Sequence, residues 1–266
     1  MAQEKWLVDG PKTIDIDSAR TLKVGLIGGQ IDIVAHDEPG VRVEIHSVTG
    51  KELKVSVDGD TVEIDHPQLG WDNWLDVFRS WTGKARADVS VMVPRGIRVK
   101  LGVVSATALL SGVTEDASLS TVSGDLVIDG VTGDLSLNSV SGELTIRNHT
   151  GKISAHSVSG DITAAGTLHA FSSDSVSGSV FLDTTGIADQ ISVNTVSGAV
   201  TLRLEADIPA SYTINTVGGK LSMDDSQISG VKGRFTGKFG VLDKHWVDLR
   251  VNSVGGDISV LRSVKA

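Results

Sequence analysis

Acidic side chains recur at a fixed spacing in the middle of the chain. Asp125, Glu143 and Asp161 stand eighteen residues apart, and each directly follows a glycine. If the chain stacks these positions above one another, their carboxylates form a ladder with a spacing of about 5 Å. Carboxylate oxygens are ligands that Ca²⁺ prefers, so the ladder is a candidate calcium site.

A structural interpretation competes with the calcium one. The units read VSGDL, and they lack the paired glycines and second aspartate of calcium-binding β-roll repeats. Lys152 also stands where the ladder that starts at Asp134 would need its next acid. In the alternative, each carboxylate accepts hydrogen bonds from turn amides. We predict no metal site, and Asp125, Glu143 and Asp161 are the residues to test for one.

Familiar catalytic patterns are missing from the sequence. The seven histidines form no H-x-H or H-E-x-x-H pair, G-x-S-x-G does not occur, and the chain has no cysteine. Carboxylate pairs also serve enzymes that cleave polysaccharides. Such enzymes need aromatic or basic side chains to hold sugars, whereas Tyr212 is the single tyrosine here. The sequence therefore predicts no catalytic residue, no cofactor and a protein that is not an enzyme.

Three of the five tryptophans lie in one short segment, GWDNWLDVFRSWTGK, at residues 70–84. At helical spacing the apolar residues of this segment share one face, which predicts a short amphipathic helix inside an insertion at about 67–88. The candidate contact residues on that face are Trp71, Trp74, Leu75, Phe78 and Trp81.

Three roles for this insertion compete. It could cap an end or flank of the fold, since open sheet edges need protection. It could instead anchor a protein partner through its aromatic residues. Insertion into a membrane surface is disfavoured because Asp72 and Asp76 lie on the polar face beside a single Arg79. We favour the cap, with the docking site as the alternative.

Charge and hydropathy exclude several classes of partner. A net charge of −9 and a pI near 5.2 argue against nucleic acid. No run approaches the ~18 apolar residues that a membrane-spanning helix needs. The start MAQEKWLVDG lacks the apolar core of a secretory signal. These features predict a cytoplasmic protein, or one at a membrane surface, with no membrane span.

A nine-residue repeat from Val104 to about Gly186 dominates the sequence. VSG triplets open at Val122, Val140, Val158 and Val176, eighteen residues apart. Apolar residues fall at positions one, five and seven, and the alternation of five and seven is typical of a strand with one buried face. Glycine at position three predicts a corner conformation that other residues resist. The third positions include Gly124, Gly133, Gly142, Gly151 and Gly160.

These features predict an all-β solenoid in which two nines form one coil, and specifically a right-handed parallel β-helix. Residues 28–47 and 51–67 read as alternating strands, the second with an Asp58-Gly59 hairpin turn. Further repeats follow at 196–204, 217–225 and 254–262. No linker interrupts the chain, so we predict a single domain over 1–266, with an irregular segment at 226–253.

The last strand of the repeat is expected to have an unpaired edge unless another segment covers it. Residues 254–261 read as the last strand of the stack, whose backbone groups would be exposed. We expect residues 226–253 to cover it, through Phe235, Phe239 and Trp246. Without that cover, the coils would stack end to end into a dimer or filament.

The phrase VMVPRGIRVKLGVVSATALLSGV, followed by tandem VSGDL units, resembles the bacterial "putative adhesin" or toast-rack β-strand repeat domains. The resemblance extends over about residues 20–262. It implies a β-helix without established catalytic residues. Some members of that family are associated with envelope-stress systems.

We therefore predict a non-catalytic β-helix scaffold or protein-interaction module, with a link to envelope stress implied by the resemblance. Its partner would be an unidentified protein or a second copy in a homo-oligomer. The alternatives are a structural protein that self-assembles through its terminal coils, and a carbohydrate-binding or adhesin-like protein.

Overall fold

The computed structural model describes residues 4–66, 85–223, 226–228 and 233–263. Throughout these residues the secondary structure is β, in strands β1–β24, without a helix. No helix of the described residues is therefore long and apolar enough to cross a membrane. The chain divides into two compact units, residues 1–132 and 133–266. The single domain over 1–266 stays a prediction.

The first unit contains twelve of the described strands. They are β1 (Glu4–Val8), β2 (Lys12–Ile16), β3 (Thr21–Leu26), β4 (Gly29–His36), β5 (Val41–Thr49), β6 (Leu53–Asp58), β7 (Thr61–Asp65), β8 (Arg86–Pro94), β9 (Arg98–Val103), β10 (Thr107–Ser111), β11 (Ala117–Thr121) and β12 (Leu126–Asp129).

An early coil of this unit is inserted between two later ones. Strand β3 pairs in parallel with both β7 and β9, and β4 pairs in parallel with both β8 and β10. Antiparallel strands follow at one end, where β6 and then β1 extend β7, and β5 and then β2 extend β8. The predicted hairpin at Asp58-Gly59 is confirmed, since Asp58 pairs with Thr61 and Gly59 has a φ of 63°.

The second unit contains the remaining strands. They are β13 (Thr132–Ser139), β14 (Leu144–Ser157), β15 (Ile162–Ser175), β16 (Val180–Thr185), β17 (Gln190–Thr195), β18 (Val200–Leu204), β19 (Ala210–Thr216), β20 (Leu221–Met223), β21 (Ser226–Ile228), β22 (Gly233–Phe239), β23 (Val247–Ser253) and β24 (Ile258–Arg262).

The predicted coil of two nine-residue halves is confirmed by the strand register. Leu144 pairs with Ile162, and Ile153 pairs with Phe171, so the step from β14 to β15 advances the chain by eighteen residues. The next step is twenty residues long, from Ala170 to Gln190. Positions five and seven are buried throughout, as the alternation predicts. The core is thin at Ala155, Ala164 and Ser173, and Phe171 is the largest fully buried side chain of the described residues.

The last repeat strand is not at the end of the stack, and this part of the prediction is wrong. Strand β23 lies between β17 and β19, and β24 lies between β18 and β20, with parallel pairing on both sides. The chain skips one coil position after β18 and returns at its C-terminal end to fill it. Sequence order alone contains no signal for this return, because every coil carries the same pattern.

The irregular segment predicted at 226–253 contains three strands, β21, β22 and β23. Strand β22 pairs antiparallel with β19, and β21 pairs antiparallel with β20. The segment thus covers the edges of β19 and β20, and not the edge of 254–261. Phe239 and Trp246 are each 38% exposed, so they are not the buried contacts that we expected.

Parallel pairing predominates in both units, as the β-helix prediction requires, and antiparallel strands end their sheets. The right-handed winding stays a prediction. The insertion at about 67–88 and its helix fall largely on residues 67–84, outside the described residues.

Candidate functional site

The VSG corner of the second unit presents a surface that repeats from coil to coil. Each parallel strand on one side of this unit ends in a buried Ser or Thr, and an exposed valine follows directly. After Val140, each of these valines donates its backbone N–H to the neighbouring coil. The acceptor is the carbonyl of the Ser or Thr that stands just before that coil's valine, at 3.2–3.3 Å. Those bonds fix the stacking order of the corner, which runs through Val140, Val158, Val176, Val196, Val254 and Val217.

A ladder of buried hydroxyls stabilises the turn at this corner through hydrogen bonds to backbone carbonyls. Ser139, Ser157 and Ser175 each donate to the carbonyl of the glycine three residues later, at 2.6, 2.6 and 2.7 Å. Ser253 makes the equivalent bond at 3.2 Å. Each bond satisfies a carbonyl that the tight turn leaves without a strand partner. We did not predict this ladder, although a Ser or Thr before every VSG is visible in the sequence.

The corner glycines are required by close contact between coils. A Cβ on Gly160 would lie 2.0 Å from the carbonyl oxygen of Gly142, and one on Gly178 would lie 2.1 Å from that of Gly160. Neither Gly160 nor Gly178 has a positive φ. The special corner conformation that we predicted at position three is therefore wrong for the VSG corner, whereas Gly133 and Gly151 do have φ values of 131° and 141°.

The six corner valines form what we call the valine ridge. Their exposed fractions are 40% for Val140, about half for Val158, Val176, Val196 and Val254, and 68% for Val217. A parallel stack advances by about 4.8 Å per strand, so the ridge runs for roughly 24 Å along the unit. Contiguous apolar surface of this kind is typical of an interaction site.

A second row of outward side chains runs beside the valines, and we call it the polar ridge. In stacking order it consists of His156, Asp174, Asn194, Asn252, Asn215 and Arg234. The three amides form a hydrogen-bonded ladder, in which each Nδ2 donates over 2.7 Å to a side-chain oxygen of the preceding member, down to Asp174. Asparagine therefore stabilises the stack while it presents a flat polar surface.

The polar ridge carries opposite charges near its two ends. Next to its first member, His156, the side chain of Asp174 is 49% exposed and its Oδ2 lies 3.1 Å from Nδ1 of His156. At the other end, Arg234 lies directly opposite Asn215 in the antiparallel register and is exposed. Only neutral amides stand between these two charges within the ridge.

A groove separates the valine ridge from the polar ridge. Its volume is about 440 Å³, and it extends from Asp174 and Ser175 to Gly233 and Arg234. Because the intervening residue of each coil points inward, the floor is formed by backbone and by the hydroxyl ladder. The arrangement offers apolar contact on one side and amide hydrogen bonds on the other, with no group positioned as a nucleophile.

The candidate calcium ligands lie in different units, Asp125 in the first and Glu143 and Asp161 in the second. Asp161 accepts a hydrogen bond from the amide of Ser179 at 2.7 Å, which is the contact that the structural interpretation describes. Asp257 accepts in the same way from Lys220, at 2.8 Å. Among the described residues, no group of three or more His, Asp or Glu side chains is arranged to hold a metal ion.

The candidate contact residues Trp71, Trp74, Leu75, Phe78 and Trp81 lie outside the described residues. Their role as cap or docking site stays a prediction.

The comparison with known proteins gives the family. The sequence profile of the Toastrack DUF4097 family matches residues 20–261. The chain belongs to the Toastrack family. This confirms the resemblance stated from the VP-R-G lead-in and the VSGD repeats. No curated protein matches the sequence.

Several solved structures resemble this Toastrack chain. One, called a "putative lipid binding protein", from Parabacteroides distasonis ATCC 8503, has 14% identity and a TM-score of 0.52, covering 95% of this chain and 97% of that one. A "putative adhesin" from the same strain has 13% identity and a TM-score of 0.44, covering 98% and 97%. Another, from Parabacteroides merdae ATCC 43184, has 12% identity and a TM-score of 0.40, covering 98% and 96%. At 14% identity, the first likeness shows the fold alone.

Proposed function

We propose that this Toastrack protein is a non-catalytic protein-interaction module, and that the valine and polar ridges of its second unit form the binding surface. The observation that carries the proposal is the valine ridge, whose members are 40–68% exposed. The fold does not need valine there, because threonine is also β-branched and would be exposed at little cost. Burial against a partner would recover the apolar free energy of about 25 cal/mol per Å².

The chemistry of the surface favours a protein over a carbohydrate. The two ridges contain no Phe, Tyr or Trp side chain, and the amides of the polar ridge already bond to one another. Short β-branched side chains beside a polar row match the mixed surface of another protein. The resemblance to a family with members in envelope-stress systems supports a role in signalling, and a cytoplasmic location stays a prediction.

Self-assembly through terminal coils has less support. Arg234 and Lys238 lie on β22, the antiparallel strand that covers β19. Positive side chains on such a strand oppose the addition of another strand from an identical chain.

The test is a photo-activated cross-linker placed at Val254 of the full chain in its own cells. The control carries the same group at Lys152, whose side chain is 61% exposed but does not belong to either ridge. We expect a protein adduct from position 254 and none from position 152. Absence of any protein adduct at 254, or equal adducts at both positions, would contradict the proposal.

A further inference from the structure

We infer that the partner bound at this surface is a second copy of the chain, docked about a two-fold axis that crosses the two ridges at right angles. The inference rests on the proposed function, because it uses the same ridges. The observation behind the inference is the direction of charge along the polar ridge, which has the negative Asp174 at one end of the groove and the positive Arg234 at the other.

A two-fold axis through the coil of Asn252 and Val254 reverses the stacking order of the second copy. Asp174 of each copy then faces Arg234 of the other, so two ion pairs form at the ends of the interface. Such self-complementary charge is what an isologous dimer requires.

The apolar contacts follow from the same operation. Val254 meets its own counterpart at the axis, and Val196 of each copy meets Val217 of the other. The neutral amides also face one another, Asn194 against Asn215. An axis parallel to the ridges would instead set the polar ridge against the valine ridge, which would bury amides against apolar surface without compensation.

The distance between the two charges makes the inference testable. Within one chain, Asp174 and Arg234 are separated by the strands of Asn194, Asn252 and Asn215. Four strand spacings amount to about 19 Å. At physiological ionic strength the screening length is about 8 Å, so the two charges hardly interact inside one molecule. Any coupling between them must arise between copies.

The experiment uses two charge-reversed full-length variants, Asp174→Arg and Arg234→Asp. Alone, each variant places like charges at both ends of the interface, and we expect its dimer to dissociate at least tenfold more readily than the unsubstituted dimer. In an equal mixture, the two introduced side chains would face each other at one end, an arginine against an aspartate. The native Arg234 of the first variant and the native Asp174 of the second would face each other at the other end. We expect heterodimers to form in the mixture, and sedimentation velocity and native mass spectrometry would detect them.

Val254→Asp is the independent variant, since it places two carboxylates together at the axis. It should be monomeric at concentrations where the unsubstituted chain is dimeric. Thermal melting establishes that each variant is folded. If a charge reversal prevents folding, Asp174→Asn and Arg234→Gln replace it, and each should weaken the dimer at least tenfold.

A monomeric unsubstituted chain at all concentrations overturns the inference, as does a mixture that fails to form heterodimers while its components fold. The two proposals fail separately. A cross-link from position 254 to a different protein, with a monomeric chain, would overturn the second copy but retain the interaction module.

Discussion

The guanidinium carbon of Arg262 lies 3.5 Å from the centroid of the Phe239 ring. The same guanidinium donates to the carbonyls of Glu205 and Ile208, at 3.0 and 2.8 Å, and to the hydroxyl of Tyr212 at 2.5 Å. One side chain from the last strand therefore ties the inserted coil to β19, to β22 and to the loop before β19. The planar fork of arginine suits this set of acceptors, whereas the point charge of lysine does not.

Replacing Arg262 by lysine should lower the free energy of unfolding by about 2 kcal/mol, because hydrogen bonds from a charged donor and a cation–π contact are lost. Chemical denaturation measures the change. Arg203→Lys is the control, since Arg203 pairs with Asp183 at the surface, where a salt bridge contributes less than about 1 kcal/mol. Equal effects of the two substitutions would contradict the role of Arg262.

Two adjacent glycines of the inserted coil should respond differently to alanine. A Cβ on Gly256 would lie 1.9 Å from the carbonyl oxygen of Gly198, whereas one on Gly255 would lie 3.8 Å from that of Val196. Gly256→Ala should destabilise the protein by about 3 kcal/mol through overpacking. Gly255→Ala should change stability by less than about 0.5 kcal/mol. Thermal melting of both variants tests the close approach, and similar melting temperatures would rule it out.

The coils could be predicted from the sequence because the residues of each nine-residue unit specify its own strand, its buried face and its turn. Alternation of Leu135 and Leu137, for example, selects the buried face, and the eighteen-residue interval fixes the register of Leu144 on Ile162. The place of each coil in the stack could not be predicted. Strands β17, β19 and β23 all present an inward Ile, Tyr or Leu at equivalent positions, so any of the three could neighbour another.

The candidate site was missed for a related reason. Valine at position one reads as a core residue, yet Val113 and Val131 are buried while Val158 and Val176 are exposed. The charge polarity of the polar ridge depends on stacking order. Asp174 and Arg234 mark the two ends of the groove only after β23 has been placed between β17 and β19.

The buried hydroxyl of Ser173 should be replaceable with a gain in stability. Its Oγ is fully buried and has no hydrogen-bond partner. Ser173→Ala removes that unsatisfied group and should raise the free energy of unfolding by about 1 kcal/mol. Ser157→Ala is the matched control and should lower it by about 1 kcal/mol, since its hydroxyl donates to Gly160 at 2.6 Å. A loss of stability in both variants would disprove the first expectation.

His66 should make stability fall in mild acid. Burial, with a smaller effect of Lys51, lowers the pKa of His66 to about 4, and its Nδ1 accepts from the amide of Ile27 at 3.3 Å. Between pH 6.5 and 4 the unfolded chain binds a proton that the folded chain does not. Stability should therefore decrease as the pH falls through this range, by up to about 3 kcal/mol, and this contribution should not change further below about pH 4.

The comparison of unsubstituted protein with His66→Gln isolates this contribution, because the other titratable groups are common to both. Denaturation at about pH 7, 5.5 and 4.5 should show a smaller decrease for the variant. Parallel curves would mean that His66 titrates alike in the folded and unfolded states.

The inserted coil β23–β24 also sets the order in which the molecule can be completed during synthesis. A ribosome releases β17, β18, β19 and β20 well before residues 247–262 emerge, yet the slot between them cannot be filled until those residues are free. Until then the inner edges of β17 and β19 present unpaired backbone groups to solvent and to neighbouring chains. The nascent protein thus depends on residues 247–262 to close its interior, and a chain truncated before β23 would keep these two strand edges open to other chains.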